Sequence, residues 1–247
     1  MEKPFLLLAA LLFSGVAGAD EVQVAVAANF ATPMKEIAAD FEKTTGHKAV
    51  LAFGSTGKFY AQIKNNAPFD VFLAADSKTP AKLVGEGAAD AASQFTYAKG
   101  KLVLWSAKPA IVDGQGEVLR KGDFDHIAIT SPTLAPYGAA AIEAMKSLGV
   151  HDALTPKFVT AENIGQTFQF VKTGNAPLGF IALSQIMKGG RINDGSAWVL
   201  PSTLYQPIRQ DAVILTSGRG KPAAEALMTY LKGPKAAEVI KSYGYDL

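Results

Sequence analysis

Cysteine is absent from all 247 residues. That excludes disulfides, thiolate metal sites and cysteine nucleophiles together, so stability must come from an ordinary apolar core. Charge is sparse too. Asp, Glu, Lys and Arg make up 19% of the chain and sum to a formal +2, with no basic run. Nucleic-acid and membrane-surface binding therefore have no electrostatic basis. The three histidines, His47, His126 and His151, are scattered. With no Gly-x-Ser-x-Gly elbow and no His-Glu-x-x-His helix, an exported hydrolase is left as a rival reading that lacks a catalytic constellation. No tandem repeat of roughly 20 to 50 residues and no low-complexity tract interrupts the chain.

Long apolar runs are also missing, apart from one at the start. Lys3 followed by the apolar stretch Phe5 to Phe13 and the small residues Ala17-Gly18-Ala19 has the layout of a secretory signal peptide, residues 1–19, with cleavage expected after Ala19. The stretch is too short to span a bilayer, and no stop-transfer segment follows. No cysteine stands at the cleavage point to carry a lipid anchor. The expected product is a soluble protein of the periplasm.

What remains alternates strand and helix patterns. Val22 to Ala28 is almost wholly apolar, as in a strand buried on both faces. Met34, Ile37, Ala38 and Phe41 then make one helical stripe, which Gly46 is placed to end. Ala49 to Phe53 and Val71 to Ala75 read as further buried strands. From Tyr97 the pattern changes, and from Ile127 the same grammar begins again. This predicts an α/β protein of two lobes, each a mainly parallel sheet flanked by helices, with a ligand cleft between them. Residues 20–100 and 206–247 are expected to form lobe I and residues 101–205 lobe II, with Ile208 to Leu215 carrying the chain back.

Four strand-to-helix corners stand out: Asn29, Ser55 with Thr56, Tyr137 with Gly138, and Asn163 with Ile164. At such corners the first N–H groups of a helix have no partner within it. In open α/β sheets these ends face the ligand crevice. Two corners from each lobe would converge on one anion, held by neutral donors alone. The stretch Gly54-Ser55-Thr56-Gly57-Lys58 also suggests a P-loop, but Ala52 and Phe59 occupy the positions where that loop needs Gly and Ser or Thr. Lys58 reads as a solvated residue of a helix face. Asp70 and Asp76 read as residues flanking a buried strand, with Asp76 capping the next helix, rather than as a catalytic pair. No histidine near them completes a metal set.

Ala27-Ala28-Asn29, Phe53 to Lys58, Ala67 to Asp76, Gly174 to Phe180 and the ending Tyr243-Gly244-Tyr245 together resemble the periplasmic molybdate-binding proteins of ABC importers, over essentially the whole mature chain. The resemblance implies a hinged, two-lobed protein that encloses molybdate or tungstate with no charged side chain touching the ion and no direct metal coordination. It needs no cofactor and delivers its cargo to a membrane ABC permease. It implies ligand contacts from Asn29, from Thr56 with Ser55 beside it, and from the N–H groups of Tyr137 and Ile164. Some family members place a donating Tyr where this chain has Ala182, and the Tyr137 hydroxyl is expected to supply that donor instead. Phosphate fits poorly, since a protonated oxyanion needs an acceptor, and a lone Tyr137 does not make an iron site. Sulfate, another unprotonated tetrahedral dianion, remains open. Nothing in the sequence suggests an oligomer interface, so a monomer is expected.

Overall fold

The structure is a computed structural model that describes residues 19–247. Apart from Ala19, the expected signal peptide lies outside the described residues. None of the described helices is long and apolar enough to cross a membrane.

The chain opens with β1 (Glu21–Ala27), a short 3-10 turn (Ala28–Phe30) and α1 (Ala31–Thr45), followed by β2 (Lys48–Gly54), α2 (Thr56–Lys64), β3 (Val71–Leu73), α3 (Lys78–Gly85) and β4 (Phe95–Gly100). Lys101 alone separates β4 from β5 (Leu102–Ser106). Then come α4 (Glu117–Lys121), β6 (Ile127–Thr130), α5 (Pro136–Ser147), α6 (His151–Leu154), β7 (Phe158–Ala161), α7 (Ile164–Lys172) and β8 (Leu178–Ala182). A hairpin of β9 (Met187–Lys188) and β10 (Arg191–Ile192) leads to β11 (Ser196–Val199). The chain closes with β12 (Ile208–Ile214), α8 (Pro222–Leu231) and α9 (Pro234–Ser242).

Ten of these strands form two sheets, in the orders β2-β1-β3-β12-β4 and β11-β5-β8-β6-β7. Reversing the second gives β7-β6-β8-β5-β11, so the sheets share one topology. In each, the first three strands are parallel and the fourth, β12 or β5, runs antiparallel to its neighbours. The antiparallel strand is in each case the one that enters from the other sheet. Gly100 pairs with Ile208, which puts the two crossings side by side.

Both faces of both sheets are covered, and this explains the continuous apolar runs. Along β1, Val22, Val24 and Val26 face α1, α8 and α9, where Met34, Phe41 and Leu227 pack, whereas Ala25 faces Phe59, Phe72 and Leu83. Along β5, Leu102 and Leu104 join Tyr137, Met145 and Phe180, whereas Val103 and Trp105 join Val171 and Ile181. The period of two is that of a pleated strand with no solvated side. Each large apolar side chain buried in this way contributes about 1.5–3 kcal/mol.

Local details refine the expected boundaries. Gly46 adopts a left-handed φ of 78° and ends α1 as expected. Helix α5 begins at Pro136, because proline suits the first helical position, where no N–H is required. Asp76 acts one residue outside the cap position. Its carboxylate accepts from the Thr79 N–H at 2.7 Å and from the Thr79 hydroxyl at 3.0 Å, and burial raises its pKa. Asp70 is buried and structural, accepting from the Gln23 N–H at 2.9 Å and from Lys221 Nζ at 2.7 Å.

Candidate functional site

Strands β1 and β6 hold equivalent places in their sheets, as do β2 and β7. The Asn29 corner follows β1 and the Tyr137 corner follows β6. Ser55 and Thr56 follow β2, and Ile164 follows β7. The four corners are therefore two matched pairs, set at the carboxyl ends of parallel strands. They meet. One small cavity is lined by Asn29, Ser55, Thr56, Tyr137 and Ile164, with Pro136 and small residues such as Ala28, Gly54 and Ala135 filling the rest. No charged residue lines it.

The donors at this cavity differ in how they are engaged. Ser55 Oγ is buried and has no hydrogen-bond partner, the only such side-chain atom among the described residues. The Thr56 hydroxyl accepts from the Ala75 N–H at 3.0 Å, which leaves its own proton free to donate. Tyr137 and Ile164 lie in the first turns of α5 and α7, where N–H groups have no intrahelical acceptor. Asn163 caps α7 by accepting from the N–H groups of Gly165 and Gln166, so the Ile164 N–H is not drawn into the cap.

Two expected side-chain roles look different in the structure. The Asn29 amide donates to Gln210 Oε1 at 2.7 Å and to the Tyr245 hydroxyl at 2.9 Å. Its side-chain donors are therefore used inside the protein, and what Asn29 can offer a ligand is its backbone N–H. The Tyr137 hydroxyl, expected to replace the donor missing at Ala182, accepts from Gln210 Nε2 at 3.3 Å and packs against Gly100 beside the crossing strands. Tyr97 joins this buried network by donating to Gln210 Oε1 or to the Ala74 carbonyl. Burial, reinforced by the neighbouring Tyr245 phenol, pushes the pKa of Tyr97 and Tyr137 well above 10, and burial pushes that of Tyr245 up to about 12 against hydrogen bonds from its neighbours that lower it. These phenols remain neutral, and no negative charge builds up beside the cavity.

The lobes touch across the cleft. The Gly57 N–H donates to the Leu134 carbonyl at 2.9 Å, and Lys58 pairs with Glu162. Lys58 is thus a bridge between lobes, partly exposed, and no lining residue of the cavity. A wider groove of about 280 Å³ adjoins the site through Thr56, Ala75, Ala135 and Pro136. Its cations Lys78 and Arg209 are balanced by Asp76 and Glu143. The four corners converge on the smaller cavity and not on this groove.

A family model described as "bacterial extracellular solute-binding protein" matches residues 22–246. The chain belongs to that family. Within it, the chain is 60% identical to the molybdate-binding protein ModA of Azotobacter vinelandii, over 97% of this chain and 95% of the relative. It is 55% identical to the ModA of Rhodobacter capsulatus, over 93% and 89%. The solved Azotobacter vinelandii periplasmic molybdate-binding protein superposes with a TM-score of 0.89 at 47% identity, covering 92% of this chain and 99% of that one.

Gln210, Leu134 and Glu162 support the site but have no site role in the sequence reading, and Tyr245 enters that reading only as part of the ending Tyr243-Gly244-Tyr245. Gln210 did leave a trace, since it and Asp211 are buried polar residues within the mostly apolar strand β12.

Proposed function

We propose that this solute-binding protein captures molybdate, and tungstate with it, from the periplasm and delivers it to a membrane ABC importer. The observation that carries this reading is Ser55 Oγ, a buried hydroxyl without a partner in an uncharged cavity lined by four helix-start corners. A fully ionised tetrahedral dianion supplies the acceptors such a set lacks. The donors are the hydroxyls of Ser55 and Thr56 and the N–H groups at Asn29, Thr56, Tyr137 and Ile164. Each hydrogen bond to a charged oxygen contributes about 1.5–3 kcal/mol, and fixed dipoles need not reorganise around the ion. Phosphate near neutral pH carries a proton that seeks an acceptor, and no carboxylate lines the cavity.

In this reading residues 20–100 with 206–247 move as lobe I and residues 101–205 as lobe II, hinged at Lys101 and at the segment before Ile208. The adjacency of Gly100 and Ile208 supports that hinge. The protein acts as a monomer after removal of residues 1–19. A thermal-shift comparison tests the reading, because a ligand held only by the folded state raises its melting temperature. Molybdate and tungstate should raise it strongly, and sulfate and phosphate should not. A shift from sulfate as large as that from molybdate would replace the proposed cargo, and no shift from any oxyanion would end the proposal.

A further inference from the structure

The three-residue turn Leu183–Gln185 follows β8 directly and touches the site from both sides. Ser184 Oγ, in lobe II, donates to the Asn29 carbonyl of lobe I at 2.8 Å. The Tyr245 hydroxyl reaches the same carbonyl and Ser184 Oγ, each at 2.9 Å. Gln185 is held at both ends of its amide: Oε1 accepts from the Ala182 N–H at 2.9 Å, and Nε2 donates to the Ile164 carbonyl at 2.9 Å. Neither residue lines the cavity. Each instead grips the carbonyl of a residue that does line it.

We propose that Ser184 and Gln185 are positioning residues that tie the Asn29 corner to the Ile164 corner, so that closing the lobes and aligning the donors become one event. The proposal rests on reading the cleft as an oxyanion site. Peptide planes are rigid, so gripping a residue's carbonyl leaves only its own φ and ψ to relate that plane to the one bearing its N–H. The grip on Ile164 lies within lobe II and orients that corner whether the lobes are open or closed. The grip on Asn29 crosses between lobes and exists only when they are closed. It therefore opposes opening without assisting capture, and its signature is a slower release with an unchanged association rate.

Stopped-flow fluorescence with molybdate on the mature protein tests this. Ser184→Ala should release the ion roughly five- to tenfold faster, as loss of one or two neutral hydrogen bonds allows, with the association rate unchanged. Tyr245→Phe, which keeps the ring and removes the lobe I hydroxyl that reaches Ser184 Oγ across the cleft, should act in the same direction. Gln185→Met should weaken equilibrium affinity. A lowered melting temperature with unchanged release and affinity would reduce these residues to ordinary packing and overturn the proposal. Small-angle scattering of the unliganded protein gives a second readout that needs no cargo: Ser184→Ala should shift the population toward a more open shape, and a profile identical to the parent's would also overturn it. Failure of the parent to bind any oxyanion would count against the cargo assignment, with the scattering comparison still deciding whether Ser184 couples the lobes.

Discussion

The N–H of Gly57, in the first turn of α2, donates to the carbonyl of Leu134, in the loop before α5, at 2.9 Å. A Cβ on Gly57 would stand 3.1 Å from that oxygen and 3.2 Å from the Leu134 Cα, both backbone atoms. Lobe I alone would gain from Gly57→Ala, since alanine favours a helix over glycine by about 1 kcal/mol. Closure would suffer, because the lobes could no longer approach as closely. The expected outcome is a melting temperature without ligand at or above the parent's, together with weaker molybdate binding by titration calorimetry. Gly57→Val should weaken binding further.

Ser55→Ala should separate binding from stability in the same way. The hydroxyl forms no bond within the protein, so its removal breaks none and relieves a buried polar atom of its desolvation cost. The unliganded variant should therefore melt no lower than the parent. Its affinity should drop by about 10- to 150-fold, the equivalent of one hydrogen bond to a charged oxygen. A variant with parental affinity would remove Ser55 from the site.

Lys58→Ala should matter much less. The pair with Glu162 is exposed, with side-chain exposures of 44% and 58%, and such pairs contribute at most about 1 kcal/mol. Release should quicken by less than about fivefold, and the difference should fade near about 1 M salt, where the screening length shrinks to about 3 Å. An effect larger than that of Ser55→Ala would mean that ionic attraction dominates capture.

The phenols give a pH prediction. Tyr245 titrates at about 12 in the folded protein, and Tyr97 and Tyr137 well above their usual 10, chiefly through burial. The folded state keeps these protons while the unfolded chain loses them from about pH 10 upward. Stability should therefore fall as pH climbs from about 10 through 12. Between about pH 6 and 8 neither these groups nor the hydroxyl and amide donors titrate, and affinity should be flat. A steep change in that window would require a histidine or carboxylate at the ion.

The elements and corners were legible in the sequence for a local reason. Sheets covered on both faces leave nearly unbroken apolar runs such as Val22 to Ala27, where only Gln23 is polar, and a strand-to-helix corner announces itself by small and hydroxylated residues such as Gly54, Ser55 and Thr56. Helix α6 was missed because four residues carry no periodicity. The supports of the site were hidden by distance. Asn29 meets Gln210 across 181 positions and Tyr245 across 216, and Lys58 finds Glu162 across 104. No window of sequence joins such pairs, and only the double crossing of the chain does. For the same reason the Tyr137 side chain could be placed at the correct corner while its hydroxyl serves Gln210.

Because β12 sits between β3 and β4, the first sheet cannot be assembled from the residues that precede it. As the polypeptide emerges, β4 has no edge to join until the last forty or so residues arrive, whereas every strand of the second sheet is already in hand by Val199. The half of the molecule encoded in the middle is thus the one able to mature first, and the terminal segments then knit the other half around it.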